Sequence, residues 1–216
     1  IVLPRERFTR RYVMSTLSDK DIFALIKEGK LELTPLDVSQ IQPASIDLRL
    51  GSKIQLPKKN ECIDLRFDSE TIADHFLERD LSEPYTLKPG DIVMGGTLEK
   101  IKIPDYCNAK IYNKNSLVSI GLNVSTGCYI NPGYEGHMPL LLKNEGVFDI
   151  IIGASIMICQ IEICALQTPA LRSYDERYNT QKLENISRHF NNLISNKASK
   201  RGSLSLYLAE RIKNLA

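Results

Sequence analysis

No apolar run in this chain approaches the ~18 residues needed to cross a bilayer. Residues 1–13 carry Arg5, Arg7, Arg10 and Arg11 and have no apolar centre of the kind a secretion signal needs. Charge of one sign is lacking too. The 28 Lys and Arg against 26 Asp and Glu leave a formal +2, too little to imply a nucleic-acid partner by itself. The cysteines Cys62, Cys107, Cys128, Cys159 and Cys164 are odd in number and show no Cys-x-x-Cys spacing, so they read as free, buried thiols in a reducing compartment. The three histidines, His75, His137 and His189, are not at metal-ligand spacing. The His-x-Glu and Pro-Cys-x-x-Cys pair that builds a zinc nucleobase-deaminase site does not occur. The expectation is a cytoplasmic protein with no zinc and no membrane partner.

What is present suffices for a sizeable core: 216 residues, 43% hydrophobic and 25% charged. Met14 precedes a clean helix start, so the natural chain is expected to begin there, with residues 1–13 an extension or expression remnant. Residues 17–29 read as a helix. Ser18 is placed to cap it with Asp21, Leu17 and Ile22 can form a hydrophobic staple, Ile22, Leu25 and Ile26 make one apolar face, and Gly29 is the stop. Residues 43–54 alternate as a half-buried strand, with Gly51 at a turn and Asp47 and Arg49 on the polar face, as a solvated or cross-strand pair or a subunit contact. Residues 56–84 read as a surface excursion with a short helix around 72–77. From 85 to 167 short apolar runs alternate with Asn, Gly and Pro, ending in a buried strand at 156–164. Many short strands and a single clear helix predict a β-sandwich, jelly roll or compact barrel.

Beyond Pro169 the pattern turns helical. Leu183, Ile186, Phe190 and Leu193 share one face; after a polar break, Ser203 caps a second stripe of Leu204, Leu208, Ile212 and Leu215. Residues 182–216 carry seven Lys or Arg against two Asp or Glu. They predict a basic helical extension that docks on its own subunit with its basic face in water, or forms a protein-partner or nucleic-acid site. The firmest turn lies within residues 130–144, where Asn131-Pro132-Gly133-Tyr134 and Gly136 fix a tight reversal between strand-like segments. A turn held by rigid strands can present backbone groups to a small ligand.

Several spaced motifs, in order, resemble the dCTP deaminase branch of the dCTP deaminase/dUTPase superfamily. They are Pro43-Ala44-Ser45-Ile46-Asp47-Leu48-Arg49-Leu50-Gly51, Leu87-Lys88-Pro89-Gly90, Thr97-Leu98-Glu99-Lys100, and the segments 113–122, 130–136 and 154–160. The resemblance covers about residues 17–181, most of the chain, and assigns residues 14–181 to one domain. It implies a mainly β, distorted jelly-roll β-barrel assembled as a homotrimer, with nucleotide sites between subunits. It also implies the zinc-free conversion of dCTP to dUTP and ammonia, with Mg2+ accompanying the triphosphate.

Position by position, the resemblance implies a degenerate site. The family's phosphate motif reads approximately Gly-Arg/Lys-Ser-Ser-Leu-x-Arg; here Lys114 keeps the cation and Ser116 a hydroxyl. Asn115 replaces the first serine and Ser119 the final arginine. Losing one charge-assisted contact costs about 1.5–3 kcal/mol. Asn131 stands where the family has an acid, and an amide is no base at neutral pH. Tyr134 keeps the aromatic that covers base or sugar. Leu141 replaces the glutamate that shuttles protons between water and base, and losing such catalysis typically costs ~10²–10⁴-fold. Glu135 and Glu145 are the possible substitutes; His137 lies on the same strand face as Leu141 but too far along it without a bulge. Tyr174, Arg177, Tyr178 and Gln181 match the family's C-terminal lid, with Arg177 and Gln181 towards phosphates and the tyrosines towards base and sugar. The function implied is a pyrimidine deoxynucleotide-binding protein with weak or absent deamination. Two other readings stay open: an active deaminase with a displaced base, and a non-catalytic trimeric scaffold recruiting a partner through residues 182–216.

Overall fold

The computed structural model describes residues 15–59, 74–125, 127 and 129–170. A two-residue strand, β1 (Ser15–Thr16), leads into α1 (Asp19–Lys27). Ser18 Oγ accepts from Asp21 N while the Asp21 carboxylate accepts from Ser18 N, the reciprocal cap expected of this spacing. Such a cap is worth about 0.5–2 kcal/mol. Leu17 and Ile22 are buried, Leu25 and Ile26 pack against the same core, and Gly29 at φ 64° ends the helix.

The chain continues through β2 (Glu32–Thr34), a 3-10 turn (Val38–Gln40), β3 (Ile41–Gln42), β4 (Ser45–Arg49), β5 (Lys53–Pro57) and β6 (Phe76–Asp80). Next come β7 (Tyr85–Leu87), β8 (Ile92–Lys102), β9 (Cys107–Asn113), the short helix α2 (Asn115–Val118) and β10 (Leu122–Ser125). The described part ends with β11 (Tyr129–Ile130), β12 (Glu135–Asn144), β13 (Ile150–Ile152) and β14 (Met157–Ala165). One sheet runs β11-β9-β14-β4-β3 with β1 added to β14. The second runs β10-β12-β8-β5-β6 with β2 added to β8, and β13 pairs with β7. Alternation turns Ile46, Leu48, Ile111, Ile161 and Ile163 of the first sheet towards Ile54, Val93, Leu140 and Leu142 of the second, and these form the core. Among the described residues no helix is long and apolar enough to cross a membrane.

The mainly β class agrees with the sequence, and four details correct it. The barrel is not closed: among the described residues no ladder joins β10 to β9. Instead the Asn113 side chain, at the end of β9, clasps β10, accepting from Val124 N at 2.8 Å and donating to Asn123 Oδ1 at 3.0 Å. The helix expected around residues 72–77 is replaced at Phe76 and Leu77 by β6, because pairing of Leu77 with Leu56 outweighs local propensity. α1 is joined by a second helix, α2. The reversal at Asn131 is no hairpin: β11 pairs with β9 and β12 with β8 and β10, so this turn carries the chain from one sheet to the other. The extensions at residues 1–13 and 182–216, and Tyr174, Arg177, Tyr178 and Gln181, lie outside the described residues.

Candidate functional site

β9 delivers Lys114 to the N-cap of α2, where it makes no side-chain cap. Its ammonium instead reaches 2.6 Å from Asp47 Oδ2, and the two side chains are 22% and 11% exposed. Asp47 lies opposite Gln160 on β4, facing away from the core. The expected phosphate cation is therefore already paired, and Asp47 is not the solvated acid that alternation suggested. The other Asp47 oxygen, Oδ1, is buried without a hydrogen-bond partner. Ser119 turns back, its Oγ donating to Ser116 O at 2.8 Å, so the hydroxyl in the arginine position caps its own helical turn. Asn115 and Ser116 sit in the first turn of α2 beside Lys114.

A three-residue excursion in β8 builds the second charged pair. Lys100 faces His137 and Gly96 faces Pro139, so Thr97, Leu98 and Glu99 bulge opposite Met138 alone. Thr97 Oγ1 accepts from Met138 N and donates to Glu99 O, which fixes the bulge and sends the Glu99 carboxylate inward. Fully buried, it accepts from Gln40 Nε2 at 2.9 Å, Arg49 N at 2.9 Å and Arg49 Nε at 2.7 Å. Gln40 Nε2 also donates to Asp47 O at 2.7 Å. Arg49 is thus no solvated residue either. Asp47, Lys114, Arg49 and Glu99 form a cluster of two acids and two bases, linked through Gln40. Glu99 was visible only as a letter in a motif.

The turn is built as its sequence requires. Tyr134 N donates to Asn131 O at 3.2 Å, and Gly133 takes φ 78°, a conformation costly for any residue with a Cβ. Asn131 remains half-buried at its start. Tyr134 is only 5% exposed, belongs to the core, and donates its hydroxyl to His137 O at 2.8 Å.

Leu141 sits on the outer face of β12, 38% exposed. Ladder register sets it in a row across the sheet, Ser125, Leu141, Met94, Gln55 and Glu78. Its cross-strand neighbours are a hydroxyl and a thioether; the carboxylate in the row, Glu78, stands three strands away, about 14 Å at ordinary strand spacing, and is paired with Lys53 at 2.7 Å. Met94 and Gln55, both buried on this outer face, were not anticipated from the sequence.

The possible substitutes fare no better. Glu135 is six residues from Leu141, roughly 20 Å along an extended strand. It is engaged by Lys100, whose hydrogen bond holds its carboxyl below the ordinary value. Glu145, roughly 13 Å beyond Leu141, pairs with Lys143 at 3.1 Å and accepts from Asn123 Nδ2 at 3.3 Å. Those bonds, Lys143 first, lower its pKa. The bulge needed to bring His137 closer lies instead in the opposite strand, β8. β12 stays extended, and His137 Nδ1 rests 3.0 Å from Thr97 O. A cleft of about 100 Å3 beside Asn113, Val118, Asn123 and Glu145 is small against the about 300–1,000 Å3 of ordinary ligand pockets. Among the described residues no group of three or more His, Cys, Asp or Glu is placed to hold a metal.

Comparison with known proteins gives a consistent picture. A family model described as dCTP deaminase-like matches residues 16–165. A dUMP-forming dCTP deaminase of Sulfurihydrogenibium sp. (strain YO3AOP1) is 34% identical over 178 residues, 81% of this chain and 97% of that protein. One of Dictyoglomus thermophilum is 36% identical over 182 residues, 80% of this chain and 93% of that protein. Among solved structures, 2'-deoxycytidine 5'-triphosphate deaminase from Agrobacterium tumefaciens superposes with a TM-score of 0.58 at 26% identity, covering 70% of this chain and 47% of that one.

Proposed function

The chain belongs to the dCTP deaminase-like family, and on that premise we propose that it binds a pyrimidine deoxynucleotide and deaminates it weakly or not at all. The carrying observation is Leu141 in its outward row, with Ser125 and Met94 as its cross-strand neighbours. Replacing the amino group at the pyrimidine C4 requires water to lose a proton and the departing nitrogen to gain one. An alkyl side chain does neither, and a missing general acid–base typically costs ~10²–10⁴-fold. Lys114, Asn115 and Ser116 on the α2 turn are the groups we assign to phosphate, and Asn131 to sugar or base. Arg177, Gln181, Tyr174 and Tyr178 would close over the ligand from the C-terminal side. Magnesium, where a triphosphate binds, would ride on phosphate oxygens and water, as this ion commonly does.

The assembly we infer is a homotrimer with the nucleotide between subunits. Tyr112, Tyr129, Leu141 and Met157, large apolar side chains exposed on the outer sheet faces, support it. The test is ammonia release from dCTP by the wild-type protein and by Leu141→Glu, alone and with Ser119→Arg, alongside calorimetry with dCTP, dUTP and dTTP. Little or no release by the wild type, and a rise of about 10²-fold on restoring the carboxylate, is the expected result. Brisk wild-type release that drops in Glu135→Gln or Glu145→Gln would mean a displaced base. No heat with any nucleotide would leave a scaffold acting through residues 182–216.

A further inference from the structure

Where β10 begins and β12 ends, two loops are pressed together at a pair of glycines. Glu145 N donates to Gly121 O at 2.8 Å. A Cβ on Gly121 would come to 2.3 Å from Gly146 Cα, and one on Gly146 to 2.5 Å from Ile120 O, so neither loop can draw back a side chain's width from the other. The contact brings Val118 and Ile120, 51% and 41% exposed, beside Val147 and Phe148, 81% and 64% exposed. Val118 and Glu145 line the same small cleft between the loops. Large apolar side chains gathered into one exposed patch mark a contact site, whereas scattered ones do not.

We propose that this patch is the seat of the chain's own residues 183–193, in which Leu183, Ile186, Phe190 and Leu193 form one apolar stripe at helical spacing. That segment lies outside the described residues, and reach, area and charge each point to it as the occupant. Ala170 N donates to Asp105 O at 3.1 Å, so the described chain ends beside the start of β9, while the patch lies past the end of that strand. The seven residues of β9 cover roughly 20 Å, and residues 171–182 can span up to about 40 Å. The four side chains expose only a few hundred Å2, well under the about 800 Å2 per partner of a standard interface, so a free second copy would bind there weakly. A tethered segment acts at an effective concentration of about millimolar and holds with the same few contacts. Residues 145–149 carry Glu145, paired with Lys143, and the exposed Asp149, with no base among them. Residues 182–216 bring the opposite sign, seven Lys or Arg against two Asp or Glu.

The test is amide hydrogen exchange on the full chain, comparing the wild type with Phe148→Ser and Phe190→Ser. Residues 183–193 should exchange at least tenfold more slowly in the wild type than in Phe148→Ser. Residues 145–149 should likewise be slower in the wild type than in Phe190→Ser, with Ile161 in the sheet centre unaltered in both variants. Fast exchange of residues 183–193 in the wild type would overturn the inference, as would protection there that Phe148→Ser leaves intact. Co-expressing the two variants should restore nothing. Protection regained in the mixture would place the stripe on a neighbouring copy and overturn docking on its own chain. Should Phe148→Ser not fold, Phe190→Ser decides through the exchange of residues 145–149, and unchanged exchange there counts against the inference.

Discussion

Glu99 occupies a position where a charge is costly unless it is paired and hydrogen-bonded, and three donors serve it: Gln40 Nε2, Arg49 N and Arg49 Nε. Glu99→Gln keeps the shape but leaves the Arg49 guanidinium beside a neutral amide. Breaking a buried pair from one side costs about 3–5 kcal/mol, and the 20% exposure of Arg49 argues for the lower end. Urea unfolding should show a loss near that size; a loss under about 1 kcal/mol would mean that the pair is merely tolerated. The residue scale also shows what a sequence can say. The identity of Leu141 at its motif position is read directly from the sequence, whereas the burial of Tyr134 is not, since a motif fixes where a ring is attached and not which way it turns. Asp47 and Arg49 were assigned to the right face, yet their counter-charges come from α2 and β8, and alternation carries no information about what folds over a face.

At the scale of elements, the Asn113 clasp does what a closing ladder would do in a barrel. Asn113→Ala leaves Val124 N without its acceptor and Asn123 Oδ1 with only the Ser125 hydroxyl at 3.3 Å. The expected destabilisation is about 1–3 kcal/mol, with faster amide exchange at Val124 and little change at Ile161 in the sheet centre. Unaltered protection at Val124 would mean that packing alone holds the edges. Elements set by local chemistry were read correctly: α1 carries its cap, stripe and stop within its own residues. Elements set by distant pairing were not, and β6 is the example. The sequence Phe76-Leu77-Glu78-Arg79-Asp80 has no strand alternation of its own and becomes a strand because β5 lies beside it.

Across the whole molecule, burial of the thiols couples folding to alkaline pH. Desolvation, with smaller contributions from Cys164 and Asp105, pushes the Cys107 thiol up to about 12; Cys159 is raised too, by desolvation first. A thiol in the unfolded chain ionises near its ordinary 9.0. The native state holds these protons more tightly, so their contribution is fully present below pH 9 and is lost as pH rises from there towards 12. Unfolding free energy measured from pH 8 to 11 should therefore decline above 9, and Cys107→Ala should flatten the slope. Equal slopes in the two proteins would place the alkaline sensitivity elsewhere.

Leu141 faces away from the core and is exposed on the outer face of β12. Whatever stands there has little say in whether the chain folds. A substitution at that position leaves the core of the subunit as it is, so one fold can carry a leucine or a glutamate there. A pedigree written in the core records ancestry, while the trade a descendant follows is written on the outer face of one strand.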